Sequence, residues 1–240
     1  MTADPIEIED LRAARERVLG RIADACARAG RDPAGVTLVA VSKTVAVERV
    51  RAAVAAGLTV LGENRVQEGE DKAAAVTGAT WHLVGPLQSN KAKRALTAFD
   101  VIQTVDSVAL AERLDRLAAE VRPGARVPVL LQVNVDRDPA KAGFDPEGLA
   151  GTAGALGGLP RLDVRGLMTV GRIVDRPEDA RPTFAALRAL SEGLRAEWLG
   201  LGPELSMGMT DDFAIAVEEG ATIVRVGRAL FGERSPAAHA

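Results

Sequence analysis

The chain has no tyrosine at all, one cysteine (Cys26) and two histidines (His82 and His239) in 240 residues. A single Cys excludes an internal disulfide framework and any Cys-cluster metal site. One internal His excludes a multi-histidine metal site and argues against a His-driven triad. Without Tyr there is no phenolic acid or base. Lysine is scarce too: of 30 basic residues, 5 are Lys and 25 are Arg. No apolar run approaches the roughly 18 residues of a membrane span, and the acidic start does not read as a signal peptide. A net charge of -3 argues against a basic stripe for nucleic acid. The expected setting is cytoplasmic, with neither nucleic-acid nor membrane partner.

What is present is a regular alternation. Residues 1–30 read as an N-terminal helix, with Asp4 as N-cap, Pro5 at the first helical position and Glu7 closing a capping box. Its apolar stripe is Ile8, Leu11, Val18, Ile22 and Ala25, and Gly30 should stop it. Eight short β-branched runs follow, at 36–42, 59–62, 81–85, 101–105, 127–135, 164–170, 204–208 and 222–227. Several are apolar throughout, as in strands covered on both faces. Helical periodicity fills the gaps: Val47, Val50 and Val54 before Gly57; Leu110, Leu114 and Leu117 after Asp106 as a cap; Phe184, Leu187, Leu190 and Leu194 in a helix starting near Pro177. The Gly-rich stretch 143–160 reads as a loop around a weak helix. Eight strand–helix units in this length predict an α/β fold, a single (β/α)8 TIM barrel, with an open doubly wound sheet as the rival. No linker and no Gly-rich dinucleotide fingerprint is visible, so one domain over 1–240 is expected, with 235–240 as a disordered tail.

In such a barrel the active site lies at the C-terminal ends of the strands. Lys43 ends strand 1 and, by period two, shares a face with Val39 and Val41. A free lysine titrates at about 10.4, and desolvation can lower this enough to give a neutral, Schiff-base-forming amine. In a chain this poor in Lys, a position needing only positive charge would more often be Arg. Arg225 lies inside the apolar strand TIVRVG, next to strand 1 in a closed barrel, and is either paired with a carboxylate or aimed at a ligand. The strand-7 and strand-8 ends read SMGMTDD and VGRALFG. There Ser206 offers a hydroxyl, Gly208 and Gly227 let backbone N–H groups approach an anion, and Thr210 and Arg228 stand near helix starts. A Schiff-base amine, a buried cation and a phosphate cup on adjacent strands are what pyridoxal 5'-phosphate (PLP) requires. Asn64 ends strand 2 as a ligand contact or a helix cap. His82 is expected to pack or hydrogen-bond inside the barrel rather than ligate a metal. Ser89 should cap the next helix, whose basic start (Lys91, Lys93, Arg94) is a solvated face or an anion contact. Lys141 is a second amine over the barrel mouth or a surface residue.

At these residues the sequence resembles the pyridoxal phosphate homeostasis proteins, the YggS/PROSC family. The resemblance runs from about residue 10 to Arg234 and rests on VAVSKT, GENRVQE, WHLVGPLQSNK, KAGF, RGLMTVG, LSMGMTDD and VRVGRALFGER, in that order. It implies the fold type III PLP barrel of the alanine racemase N-terminal domain, with Lys43 as the Schiff-base lysine and Arg225 facing the pyridine nitrogen. It implies phosphate contacts from Ser206, Gly208, Gly227 and Arg228. The expected cofactor-binding set is Lys43, Asn64, His82, Ser206, Met207, Gly208, Arg225, Gly227 and Arg228, with no metal ligand. The family usually has Ser or Thr at Arg228, Tyr at Arg65 and Ser at Ala142.

The resemblance implies a role in PLP (vitamin B6) and amino-acid homeostasis, as a monomeric carrier or regulator of the cofactor that could serve PLP-dependent apoenzymes. A cation at Arg225 opposes pyridine protonation and so weakens the electron sink. The absent Tyr removes the second base that racemases on this barrel use. The alternatives are a PLP-dependent amino-acid racemase using Lys43, and a Schiff-base aldolase holding a sugar phosphate in the same cup.

Overall fold

The computed structural model describes residues 4–233. The tail expected over 235–240, and with it His239, lies outside them. Helix α1 (Pro5–Arg28) starts where the sequence places it: the Asp4 carboxylate accepts the Ile6 N–H at 3.0 Å, with Pro5 behind it. The capping box does not close, because Glu7 reaches across to Arg49 at 3.3 Å instead. Leu11, Val18 and Ile22 are buried, each contributing roughly 1.5–3 kcal/mol by leaving water.

Eight strand–helix units follow. They are β1 (Thr37–Val41) and α2 (Val47–Ala55), β2 (Val60–Glu63) and α3 (Val66–Ala75), β3 (Thr80–Leu83) and α4 (Ala92–Ala98), β4 (Val101–Val105) and α5 (Val108–Val121). Then come β5 (Val127–Gln132) and α6 (Ala153–Gly157), β6 (Leu162–Met168) and α7 (Arg181–Glu197), β7 (Glu204–Ser206) and α8 (Phe213–Glu218), β8 (Ile223–Val226) and α9 (Arg228–Phe231). The strands close in sequence order into one parallel barrel, a TIM barrel. All eight expected runs are strands, and the stretch 143–160 holds only a 3-10 turn and the short α6.

Two helix starts differ from expectation. Ser107, not Asp106, caps α5, accepting the Leu110 N–H at 3.3 Å. Its hydroxyl also bonds Asp106, which is thereby used as an acceptor one residue outside the cap. Ser89 caps nothing: it opens a 3-10 turn, Ser89–Lys91, that runs into α4.

The barrel interior is thin. Val39, Val84, Leu130, Met168 and Ile223 fill it, with Val41, Val60 and Val170 packed against them. The larger core lies between strands and helices. Strand pairing places Val39 beside Arg225 and Ala40 beside Val226. Because side chains alternate, Arg225 shares the interior with Val39 and Val41. Among the described residues no helix is long and apolar enough to cross a membrane.

Candidate functional site

A cavity of about 510 Å³ opens at the C-terminal ends of the strands, within the roughly 300–1,000 Å³ usual for small-molecule sites. Lys43, Asn64, Thr210, Arg225, Gly227 and Arg228 line it, with Val41 and Val84 as apolar wall. Lys43, two residues beyond β1, is half-buried at the rim. Arg225 forms the floor and is only 5% exposed.

Arg225 meets neutral acceptors, not a carboxylate. Its guanidinium donates to Ser206 Oγ at 2.6 Å and to the Thr169 carbonyl at 2.7 Å. Burial pulls its pKa down to about 10, against a favourable field from Asp212, so it stays cationic at neutral pH. Ser206 passes the chain on, donating to Gln103 Oε1 at 2.6 Å, and Gln103 Nε2 donates to His82 Nδ1 at 2.7 Å. His82 is therefore an acceptor at Nδ1 and must be neutral there. Burial agrees, pushing its pKa down to about 4. One polar chain thus crosses the interior from β3 through β4 and β7 to β8.

The nine expected positions divide by depth. Lys43, Asn64, Arg225, Gly227 and Arg228 border the cavity. Ser206, with no exposed surface, does not line it; its hydroxyl donates to Gln103 and accepts from Arg225, and so supports the cation. His82 is equally committed, as an internal hydrogen-bonding residue. Met207 is a core residue. Gly208 shapes the turn after β7. Its φ is 88°, and a Cβ there would fall 2.5 Å from Ala216 Cβ, so only glycine lets the turn pack on α8. Asp212 pins the same turn by accepting the Met209 N–H at 2.6 Å. Thr210, not Ser206, lines the cavity together with Gly227. Asn64 is no helix cap: Arg65 occupies that position, without a side-chain bond.

Arg228 is exposed and ion-paired to Asp211, with Glu233 at 3.6 Å. Lys93 pairs with Glu120 and Arg94 with Glu70, the solvated-face reading of that basic helix start. Lys141 donates to the Val170 carbonyl at 3.3 Å and lies 3.6 Å from Asp138. It lines a second cavity of about 270 Å³, which shares Asn64, Val84 and Val170 with the first. Among the described residues no cluster of His, Cys, Asp or Glu is gathered to hold a metal. The residues that sequence reading missed are Gln103 and Thr169. Gln103 did leave a signal, as the amide interrupting the apolar run VIQTV.

This arrangement agrees with what the chain is similar to. The model of the family described as alanine racemase, N-terminal domain, matches residues 19–235. The pyridoxal phosphate homeostasis protein of Aquifex aeolicus is 43% identical over 220 residues, covering 91% of this chain and 96% of that one. PipY of Synechococcus elongatus, solved with PLP bound, superimposes with a TM-score of 0.78 at 42% identity, covering 88% of this chain and 100% of that one. Alanine racemase of Clostridium difficile shares the fold alone, with a TM-score of 0.75 at 17% identity, and covers 95% of this chain but 61% of its own. On these matches the chain belongs to the pyridoxal phosphate homeostasis proteins, which are built on the alanine racemase N-terminal barrel.

Proposed function

We propose that the chain binds PLP as a Schiff base on Lys43 and acts in PLP and amino-acid homeostasis as a carrier or regulator, without efficient catalysis. The observation that carries this is the placing of a rim amine, a floor cation and the Thr210–Gly227–Arg228 wall around one cavity. The donor set fits the cofactor: an amine (Lys43) for an aldehyde, a cation (Arg228) for a phosphate, and an interior guanidinium (Arg225) for a ring nitrogen. Bound PLP supplies an aldehyde carbon that can pass between amines and a ring that draws electrons when its nitrogen is protonated. Arg225 would orient the ring by donating to its nitrogen. As it is itself cationic, it opposes protonation there. Ser206 and Thr169 hold it as neutral acceptors, and the Asp212 carboxylate acts on it only through its field.

A racemase also needs an acid or base opposite the lysine. With no Tyr in the chain, the carboxylates lining the cavity are Asp211 and Glu233, both beside Arg228. The reading extends to a cytoplasmic monomer whose cofactor can be handed to PLP-dependent apoenzymes, because Lys43 stands at the open rim.

The test is the visible spectrum of the purified protein with PLP, together with deuterium exchange at Cα of candidate amino acids in heavy water. Wild type should show the yellow absorption of a lysine-bound cofactor, and Lys43→Ala should lose it. Exchange at ordinary enzymatic rates of about 1–1000 per second would overturn the carrier reading in favour of an enzyme.

A further inference from the structure

Lys43 lies between two residues that one buried ionic cluster holds. On its N-terminal side the Ser42 carbonyl accepts from Lys72 Nζ at 2.6 Å, and the Ser42 hydroxyl donates to Glu63 Oε1 at 2.7 Å. On its C-terminal side the Thr44 N–H donates to Glu68 Oε1 at 2.6 Å. Lys72 closes the cluster, donating to Glu63 and Glu68 at 2.7 Å each. Lys72 is 4% exposed and Glu63 fully buried.

The cluster is a costly one. A buried ion pair is often no more stabilising than apolar side chains of the same volume. Here it also leaves Glu63 Oε2 without a hydrogen-bond partner, and burial raises the Glu63 carboxyl above the usual range. Thr44 has a φ of 65°, in the left-handed region that β-branched residues rarely adopt. Such a backbone persists where its surroundings over-determine it, and the Glu68 carboxylate on its N–H does so. None of the three charged side chains lines the cavity. What they hold is the backbone on either side of its amine.

We propose that Lys72, Glu63 and Glu68 form a positioning clamp that fixes the Ser42–Lys43–Thr44 turn and so aims the Lys43 amine at the bound aldehyde. The inference rests on the proposed PLP function. Capture joins Nζ to the aldehyde carbon and expels the carbonyl oxygen as water. A clamp of this kind governs how fast that bond forms, and not how well the rest of the ligand is held.

The experiment compares wild type, Lys72→Met and Glu68→Ala, all full length. The rate of PLP capture is read by borohydride trapping and the mass of the Lys43 peptide. Affinity for pyridoxine 5'-phosphate, which carries an alcohol in place of the aldehyde, is measured in parallel. Capture should slow by about tenfold to a hundredfold in Lys72→Met, the scale of a small misplacement of a reacting group, and by less in Glu68→Ala. Affinity for the alcohol should not change. Capture at the wild-type rate overturns the clamp, and so does a parallel loss of capture and alcohol binding, which would mean general damage to the fold. Should Lys72→Met fail to fold, Glu68→Ala decides, since Glu68 is a quarter exposed and its loss keeps the Lys72–Glu63 pair. Wild type that binds the alcohol but never captures PLP on Lys43 overturns the proposed function, and the clamp with it.

Discussion

Protonating His82 should cost the fold stability, and the amount follows from its place in the barrel. Its Nδ1 accepts from Gln103, whose carbonyl end accepts from Ser206, which in turn accepts from Arg225. A proton on Nδ1 would set donor against donor at the first link and leave the rest of the chain misdirected. The folded-state pKa is about 4, against about 6.5 in an unfolded chain. Between these values the unfolded chain binds the proton and the folded one does not. The stability owed to neutral His82 is therefore complete above about pH 6.5 and drains away as pH falls toward about 4. Each pKa unit is worth about 1.4 kcal/mol, so the full effect is about 3 kcal/mol, a large share of the roughly 5–15 kcal/mol of a typical domain. The assay is urea unfolding of wild type and His82→Asn across this range. Every other group is common to both proteins and cancels in the difference. The advantage of wild type over the variant should shrink by about 2–3 kcal/mol between about pH 7.5 and pH 4.5. Parallel stability curves would refute both the neutral His82 and the direction of the chain.

Two further outcomes follow from the cavity wall. Gly208→Ala forces a Cβ to within 2.5 Å of Ala216 Cβ at a φ of 88°, and should destabilise the protein by about 1–3 kcal/mol, seen as a lowered Tm. Arg228→Ser removes an exposed cation that is paired with Asp211. It should flatten the salt dependence of the PLP dissociation constant, because exposed charge is screened by salt; an unchanged salt dependence would remove Arg228 from phosphate binding.

The barrel was legible in the sequence because parallel strands covered on both faces need unbroken β-branched runs, and helices need an apolar stripe. Both patterns are local. One mistake is local as well. A cap is decided by which of two adjacent side chains reaches the N–H groups, and Asp106 and Ser107 are equally suitable by type. Glu7 was drawn off by Arg49, which is distant in sequence and invisible to a capping pattern. The cavity rim could also be read, since Lys43, Asn64, Gly227 and Arg228 follow strand ends. Depth could not be read. Ser206 ends a strand as plainly as Lys43 leaves one, yet its hydroxyl answers to Gln103, 103 residues earlier in the chain. Lys72 lies in no motif that sets it apart from the other lysines. Only the fold brings it to Ser42.

Depth is also where the functional argument gains most. β-Pairing sets Arg225 level with Val39, whereas Lys43 stands four residues further along the same chain direction, beyond the end of β1. A ligand joining the two spans floor to rim. At the floor its ring end would meet a largely buried cation, held by Ser206 of β7 and by the Thr169 carbonyl just past β6. At the rim its reactive end meets an amine on a half-buried turn. A strong electron sink needs the opposite emphasis, a ring nitrogen kept protonated; a cation such as Arg225 there favours weak carbanion stabilisation, as in racemases, or no turnover. A carrier needs its covalent link where an incoming amine can reach it, and a ring held without being activated. The half-buried turn at Lys43 and the buried Arg225 support the proposed carrier reading.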